Sequence, residues 1–96
     1  MQTIIEVEMH AYASGQIRKV TVPHDDVTLG DAFYYGQNDF CLPDDLGQKL
    51  PSVSVGDVIR FEGSRYAVCG TRFQLVSDGW IPPRDAHGRV LLETLR

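Results

Sequence analysis

The sequence predicts a single α+β domain dominated by an antiparallel sheet of five or six short strands, curled or partly barrel-like, with one or two short helices. Three observations carry that prediction. Apolar and polar residues alternate along Thr3–Tyr12, as in a strand with one buried and one wet face. Short runs rich in β-branched and aromatic residues follow, punctuated by glycine-containing turn pairs at Ser14-Gly15, Gly56-Asp57, Gly63-Ser64 and Gly70-Thr71. Finally, a chain of 96 residues buries about two thirds of its unfolded surface, which suffices for one core.

Along Thr3–Tyr12, Ile5, Val7, Met9 and Ala11 share one parity and Ile4, Glu6, Glu8, His10 and Tyr12 the other. Ser14-Gly15 turns the chain into Gln16–Val22, where Ile17, Val20, Thr21 and Val22 favour a second strand, so residues 3–22 read as a hairpin. Pro23 ends it, because proline has no ladder donor. Residues 23–51 read as an acidic, irregular connection. Within it, Asp26 or Thr28 can cap a helix of one or two turns in which Leu29, Ala32 and Phe33 follow helical spacing. From Gly36 to Pro51 turn chemistry is nearly continuous, and so long an irregular connection is more often functional than a short one.

Residues 52–76 predict a three-stranded meander. Val53 and Val55 point one way and Ser52 and Ser54 the other, a tight turn or bulge falls at Gly56-Asp57, and Val58–Glu62 is the first strand. Gly63-Ser64 is a hairpin signal, Tyr66–Cys69 returns, and Phe73, Leu75 and Val76 make the third strand. Asp57 is placed to accept backbone N–H bonds across its bend. In the tail element, residues 80–96, Trp80-Ile81 form an apolar anchor before Pro82-Pro83. Leu91, Leu92 and Leu95 behind Asp85 fit a helix, which is the preferred reading, while Gly88 and Arg89–Leu92 fit a final strand.

Composition narrows the function classes. With 43% hydrophobic and 23% charged residues the chain has the make-up of a soluble globular domain, folding alone or as a small symmetric oligomer such as a homodimer. No apolar stretch approaches the ~20 residues of a membrane span, and the N-terminus lacks the continuous apolar core of a signal peptide, so a cytoplasmic location is expected. Two cysteines, Cys41 and Cys69, read as buried free thiols. The net charge of −4 is uneven: residues 1–48 hold eight acids against Arg18 and Lys19, whereas residues 49–96 hold seven bases against five acids. The acidic half repels nucleic-acid phosphate and suits a basic protein surface. Arg60, Arg65, Arg72, Arg84 and Arg89 are spread among acids and form no basic motif, so nucleic acid is not the expected partner.

No catalytic or metal template is met. There is no phosphate loop, nucleophile elbow, His-Glu-x-x-His or Cys-x-x-Cys, His24-Asp25-Asp26 reads as a solvated turn, and no cofactor is expected. Binding features are stronger. Tyr34, Tyr35, Phe40 and Trp80 flank the polar residues Gln37, Asn38 and Asp39, and aromatics beside amides supply rigid contact area with hydrogen-bonding edges. The expected protein contact set is Asp39, Asp44 and Asp45 with Tyr35, Phe40 and Trp80. The alternative is a small-ligand or nucleotide pocket built from Tyr34, Gln37 and Asn38 around an arginine, Arg60 or Arg72.

Ser52-Val53-Ser54-Val55-Gly56-Asp57-Val58-Ile59, followed by Gly63, Tyr66, Val68 and Phe73, resembles the pattern of YodL-like domains, with Thr71-Arg72 before Phe73 where that pattern has glycine. The preceding YYGQND is similar to a segment that accompanies the pattern in short stand-alone phage and plasmid proteins. The resemblance brings no catalytic residues with it and implies a bacterial or phage accessory protein. Together with the charge asymmetry and the long polar-aromatic connection, it leads to the expectation of a non-enzymatic protein that binds another macromolecule, such as a host-defence component.

Overall fold

The computed structural model describes all residues from Met1 to Arg96. Alternation in the first segment produces strand β1 (Thr3–Met9), in which Ile5, Val7 and Met9 are buried and Ile4 and Glu6 are exposed. Glycine at position 15 holds a positive φ and donates to the Met9 carbonyl at 2.9 Å, returning the chain as β2 (Gln16–Val22). The two strands pair antiparallel from Thr3 opposite Val22 to Met9 opposite Gln16, so the expected hairpin is present.

The chain then crosses to the other side of β1. Strand β3 (Val58–Phe61) pairs with β1 through Val7 opposite Ile59, and β4 (Ser64–Val68) and β5 (Phe73–Val76) complete an antiparallel sheet of five strands in the order β2-β1-β3-β4-β5. The sheet is open and curled, within the expected architecture of a curled or partly open antiparallel sheet. The meander starts at Val58 and not at Ser52: Ser52–Val55 pair with no strand, because the Val53 N–H goes to the Gly36 carbonyl, which ties this segment to the end of a helix.

That helix, α1 (Leu29–Tyr35), is capped by Thr28 and not by Asp26. The Thr28 hydroxyl accepts from the Asp31 N–H and the Asp31 carboxylate accepts from the Thr28 N–H, a reciprocal box that starts a helix despite Gly30 in its first turn. Ala32 is buried against Ile5, Val7, Met9, Val20, Val22, Ile59, Val68 and Val53, with Phe33 and Tyr35 packed at the margin. The C-cap, Gly36, admits no side chain: a Cβ there would lie 2.5 Å from Val53 Cγ2 and 2.8 Å from the Ala32 carbonyl oxygen.

The opposite face of the sheet is covered by the tail. Ala67, Cys69 and Leu95 form a second, smaller core with Val55, Val76, Trp80 and Val90 beside them. The tail is not the helix that was preferred, and it adds no strand to the sheet. Asp85 accepts from the His87 and Arg89 N–H groups, Gly88 takes a positive φ, and a single bridge joins Arg84 to Val90; only Leu92–Thr94 forms a 3-10 turn. Local hydrogen bonding by Asp85 turns the backbone away from the helix it was expected to cap. Both cysteines are unpaired, Cys69 buried but Cys41 only half-buried, as its turn lies at the surface.

Residues 36–51 are more ordered than turn chemistry suggests. Pro43–Gln48 form a 3-10 helix that lies along the free edge of β2. There Gln48 receives the Lys19 N–H on Oε1 and donates from Nε2 to the Lys19 carbonyl, both at 2.7 Å, so its amide stands in for a neighbouring strand. On the core face, Arg18 is buried opposite Val7 and donates from Nη1 to Asn38 Oδ1 at 2.7 Å and to the Pro51 carbonyl at 2.8 Å, while Nε and Nη2 have no protein partner. No carboxylate pairs with it. A buried cation on neutral acceptors contributes little net stability. Arg18→Met, which keeps the stem and removes the charge, is therefore expected to change folding stability by no more than about 1 kcal/mol, read from urea midpoints.

Candidate interaction surface

The end of α1 and the turn after it place two aromatic rings at the surface. Gln37 donates its N–H to the Tyr34 carbonyl, and Phe40 and Cys41 donate theirs to the Gln37 carbonyl at 2.9 and 2.7 Å. This tight return lays Phe40 over Tyr34 with centroids 4.8 Å apart and planes 9° from parallel. Tyr35 meets Tyr34 edge-on at 4.9 Å and packs inward against the core. Tyr34 remains 48% and Phe40 53% exposed, so the stack is presented to solvent rather than roofing the sheet.

The polar residues expected beside these rings divide by role. Gln37 Nε2 donates to the carbonyls of Phe33 and Val53 at 2.9 and 2.8 Å, closing the helix end onto the loop. The Asn38 side chain accepts from Arg18 and donates to the Leu50 carbonyl at 2.9 Å. Both amides are thus occupied in holding the connection in shape. Asp39 and Asp44 are exposed and form no ion pair with lysine or arginine.

Two members of the expected contact set lie elsewhere. Asp45 is buried, with Oδ2 accepting from the Thr21 N–H at 2.8 Å and Oδ1 from the Thr21 hydroxyl at 2.9 Å, so it seals the edge of β2. Trp80 packs with Ala67, Cys69 and Leu95 on the tail side of the sheet, apart from the Tyr34–Phe40 stack. What remains together is Tyr34, Phe40 and Tyr35 with Asp39 in the same turn, and Asp44 at the start of the following 3-10 helix.

The alternative ligand pocket is not assembled. Ile59 faces the core with α1, so Arg60, of opposite parity, projects from the other face of the sheet, and Arg72 sits in the turn before β5. Arg60 and Arg72 do not share neighbouring strand positions either: Arg60 stands opposite Arg65.

That Arg60–Arg65 pair belongs to a cluster the sequence concealed. Glu8 is only 6% exposed although it lies on the expected wet face, because the side chains of Arg60, Arg65 and His10 close around it. Its Oε2 accepts from Arg60 Nε and Arg65 Nε, each at 2.9 Å, and its Oε1 from Arg65 Nη2 at 2.7 Å and from the His10 ring at 3.0 Å. Arg65 also donates to the carbonyls of Ser77, Asp78 and Trp80, so all five of its N–H groups are used. The bidentate contact with Arg65 is the main reason the Glu8 carboxyl is lowered to about 2; burial works against it, and His10 and Arg60 assist. A cleft of about 460 Å³ opens beside Glu8, Arg60, Arg65 and Asp78. On its walls Glu8, Arg60 and Arg65 are already paired with one another, and through Arg65 they staple β1, β3 and β4 to the start of the tail.

The most apolar concavity is a cleft of about 310 Å³ lined by Ala11, Tyr12, Val90 and Leu92 with Arg89 on its wall. Its lining comes from two segments far apart in sequence, residues 11–12 and 88–92, so it had no local signature to find. No group of three or more His, Cys, Asp or Glu side chains is placed to hold a metal ion, and no helix is long and apolar enough to cross a membrane. In comparisons with protein-family models, with curated proteins and with solved structures, nothing matches this chain.

Proposed function

We propose that the protein is a non-enzymatic interaction module that binds a protein partner bearing a basic surface, and that the partner seats on the Tyr34–Phe40 stack with Asp39 and Asp44 at its rim. The observation that carries this reading is the stack itself: two parallel rings, each about half exposed, on a turn braced by the amides of Gln37 and Asn38. Rigid aromatic area ordered before binding costs little conformational entropy on association, and rings of this kind are common anchors at protein interfaces. The unpaired carboxylates favour a lysine- or arginine-bearing partner and disfavour nucleic acid. The resemblance of residues 52–76 to YodL-like domains adds the context of a bacterial or phage accessory protein acting in the cytoplasm on a component such as a host-defence protein.

The test is affinity capture from a bacterial lysate by the wild-type chain and by Tyr34→Ser/Phe40→Ser, each checked for an unchanged far-UV spectrum. A partner of the proposed kind binds the double variant at least about tenfold more weakly. Asp39→Asn/Asp44→Asn slows its association, most clearly at low salt. Retention of the same partner by both variants at wild-type affinity overturns the assignment of the surface.

A further inference from the structure

The apolar cleft of about 310 Å³ lies between two segments whose backbones are fixed by the fold. On one side, the Ala11 N–H is held by Asp57 at 2.8 Å. On the other, Asp85 takes both backbone groups of Arg89, accepting its N–H at 3.0 Å and donating to its carbonyl at 2.8 Å. Arg84 clamps the two sides together, donating from Nη1 to the Gly88 carbonyl at 2.7 Å and from Nη2 to the His10 carbonyl. Val90 and Ala11 both abut Gly56, where an added Cβ would lie 3.1 Å from Val90 Cγ1 and 3.6 Å from Ala11 Cβ. The cleft is therefore formed without a ligand, and its volume is at the small end of ligand sites, suited to a body of about ten non-hydrogen atoms.

We propose that this cleft binds a small apolar monocarboxylate, with its hydrocarbon body among Ala11, Tyr12, Val90 and Leu92 and its carboxylate on Arg89. The side chains supply the apolar half of that match: Tyr12 is 73% and Leu92 53% exposed, and a ligand seated between them removes this surface from water. Charge supplies the other half. Arg89 is exposed on the wall of the cleft, and neither it nor Arg84 forms an ion pair. The acids nearest in the chain leave them uncompensated: Asp85 Oδ1 is occupied by the His87 and Arg89 N–H groups, and the exposed Glu93 pairs with neither. Both terminal nitrogens of Arg84 already serve backbone carbonyls, so it adds positive charge, while the Arg89 guanidinium offers the planar fork that a carboxylate accepts. One cationic fork at the edge of an apolar cavity selects a single anionic group on an apolar body and disfavours an amine. The cleft shares no residue with the Tyr34–Phe40 stack, so the inference does not rest on the partner proposed above.

Octanoate, titrated into the isotope-labelled full chain and followed by the NMR signals of its backbone amides, tests the site, with octanamide and octylammonium as neutral and cationic counterparts. Octanoate is expected to shift the signals of residues 11–12 and 88–92 with a dissociation constant on the order of 1 mM, and octylammonium to bind at least about tenfold more weakly. Arg89→Gln weakens octanoate at least about fivefold and leaves octanamide unchanged. Tyr12→Ser weakens both, because it removes apolar surface and no charge. Unaltered signals from the rest of the sheet show that each variant is folded. Absence of shifts at about 10 mM octanoate, shifts scattered over the surface, equal affinity for the three probes, or indifference of octanoate to Arg89→Gln overturns the proposal. So does a dependence of the same signals on protein concentration without any probe, which would assign the cleft to a second copy of the chain.

Discussion

Asp57→Ala is expected to lower folding stability by about 3–4 kcal/mol, the largest loss from any single substitution considered. Asp57 is fully buried, and its carboxylate accepts three backbone N–H groups: His10 at 2.7 Å and Ala11 at 2.8 Å on Oδ1, and Ser54 at 2.8 Å on Oδ2. It therefore fastens the end of β1 to the loop that precedes β3, two segments almost fifty residues apart in sequence. Alanine removes the charge-assisted acceptor and leaves three donors without a partner in a part-buried site. Asn at this position separates the contributions. Its carbonyl can retain the His10 and Ala11 bonds, but its NH₂ meets the Ser54 N–H donor to donor, so Asp57→Asn is expected to cost about half as much. Urea unfolding followed by circular dichroism reads both values. A loss below about 1 kcal/mol for the alanine variant would show that the end of β1 holds its path without this carboxylate.

Acid unfolding is expected to trace the titration of Glu8. A carboxyl lowered from 4.5 to about 2 in the folded protein makes the native state the weaker proton acceptor. Its stabilisation is complete above about pH 4.5 and is lost as the pH falls from there towards 2. The amount is at most about 3 kcal/mol. Asp57 works in the opposite sense: burial pushes its carboxyl up against the pull of its three N–H donors, so its protonation favours the folded state as the pH falls. Glu8→Gln isolates the first effect. The variant lacks the loss between pH 4.5 and 2, and at neutral pH it leaves Arg60 and Arg65 facing each other across neighbouring strands without their shared anion. Equal slopes of stability against pH for wild type and variant in that window would mean that Glu8 does not carry the acid sensitivity.

The two residues also show where sequence reading stops. The Ser-x-Ser-x-Gly-Asp stretch identifies Asp57 as an acceptor across its own bend, and the Ser54 contact is that local bond. Its bonds to His10 and Ala11 are not legible, because they depend on β3 lying beside β1, a pairing set by long-range packing. Glu8 reads as a solvent-facing residue from its parity. It is buried because Arg60 and Arg65, more than fifty residues away in sequence, converge on it from β3 and β4. Among the aromatic and acidic residues singled out, Tyr34, Tyr35, Phe40, Asp39 and Asp44 stay within one stretch of chain and so remain together in space. Trp80 and Asp45 were drawn away by an apolar cluster and by an exposed strand edge.

From the sequence by itself came the fold class, the β1–β2 hairpin, the capped helix and the three-stranded meander. These elements rest on alternation, capping and turn chemistry, which act between residues close in the chain. Only the tertiary structure decided the strand order, the Glu8–Arg60–Arg65 cluster, the use of Asp45 and Gln48 to cover one sheet edge, and the exposure of Leu75 on the other. Each depends on which distant segments meet. That is settled by burying apolar faces and by pairing the polar groups those faces carry with them, a global balance that no local spacing records.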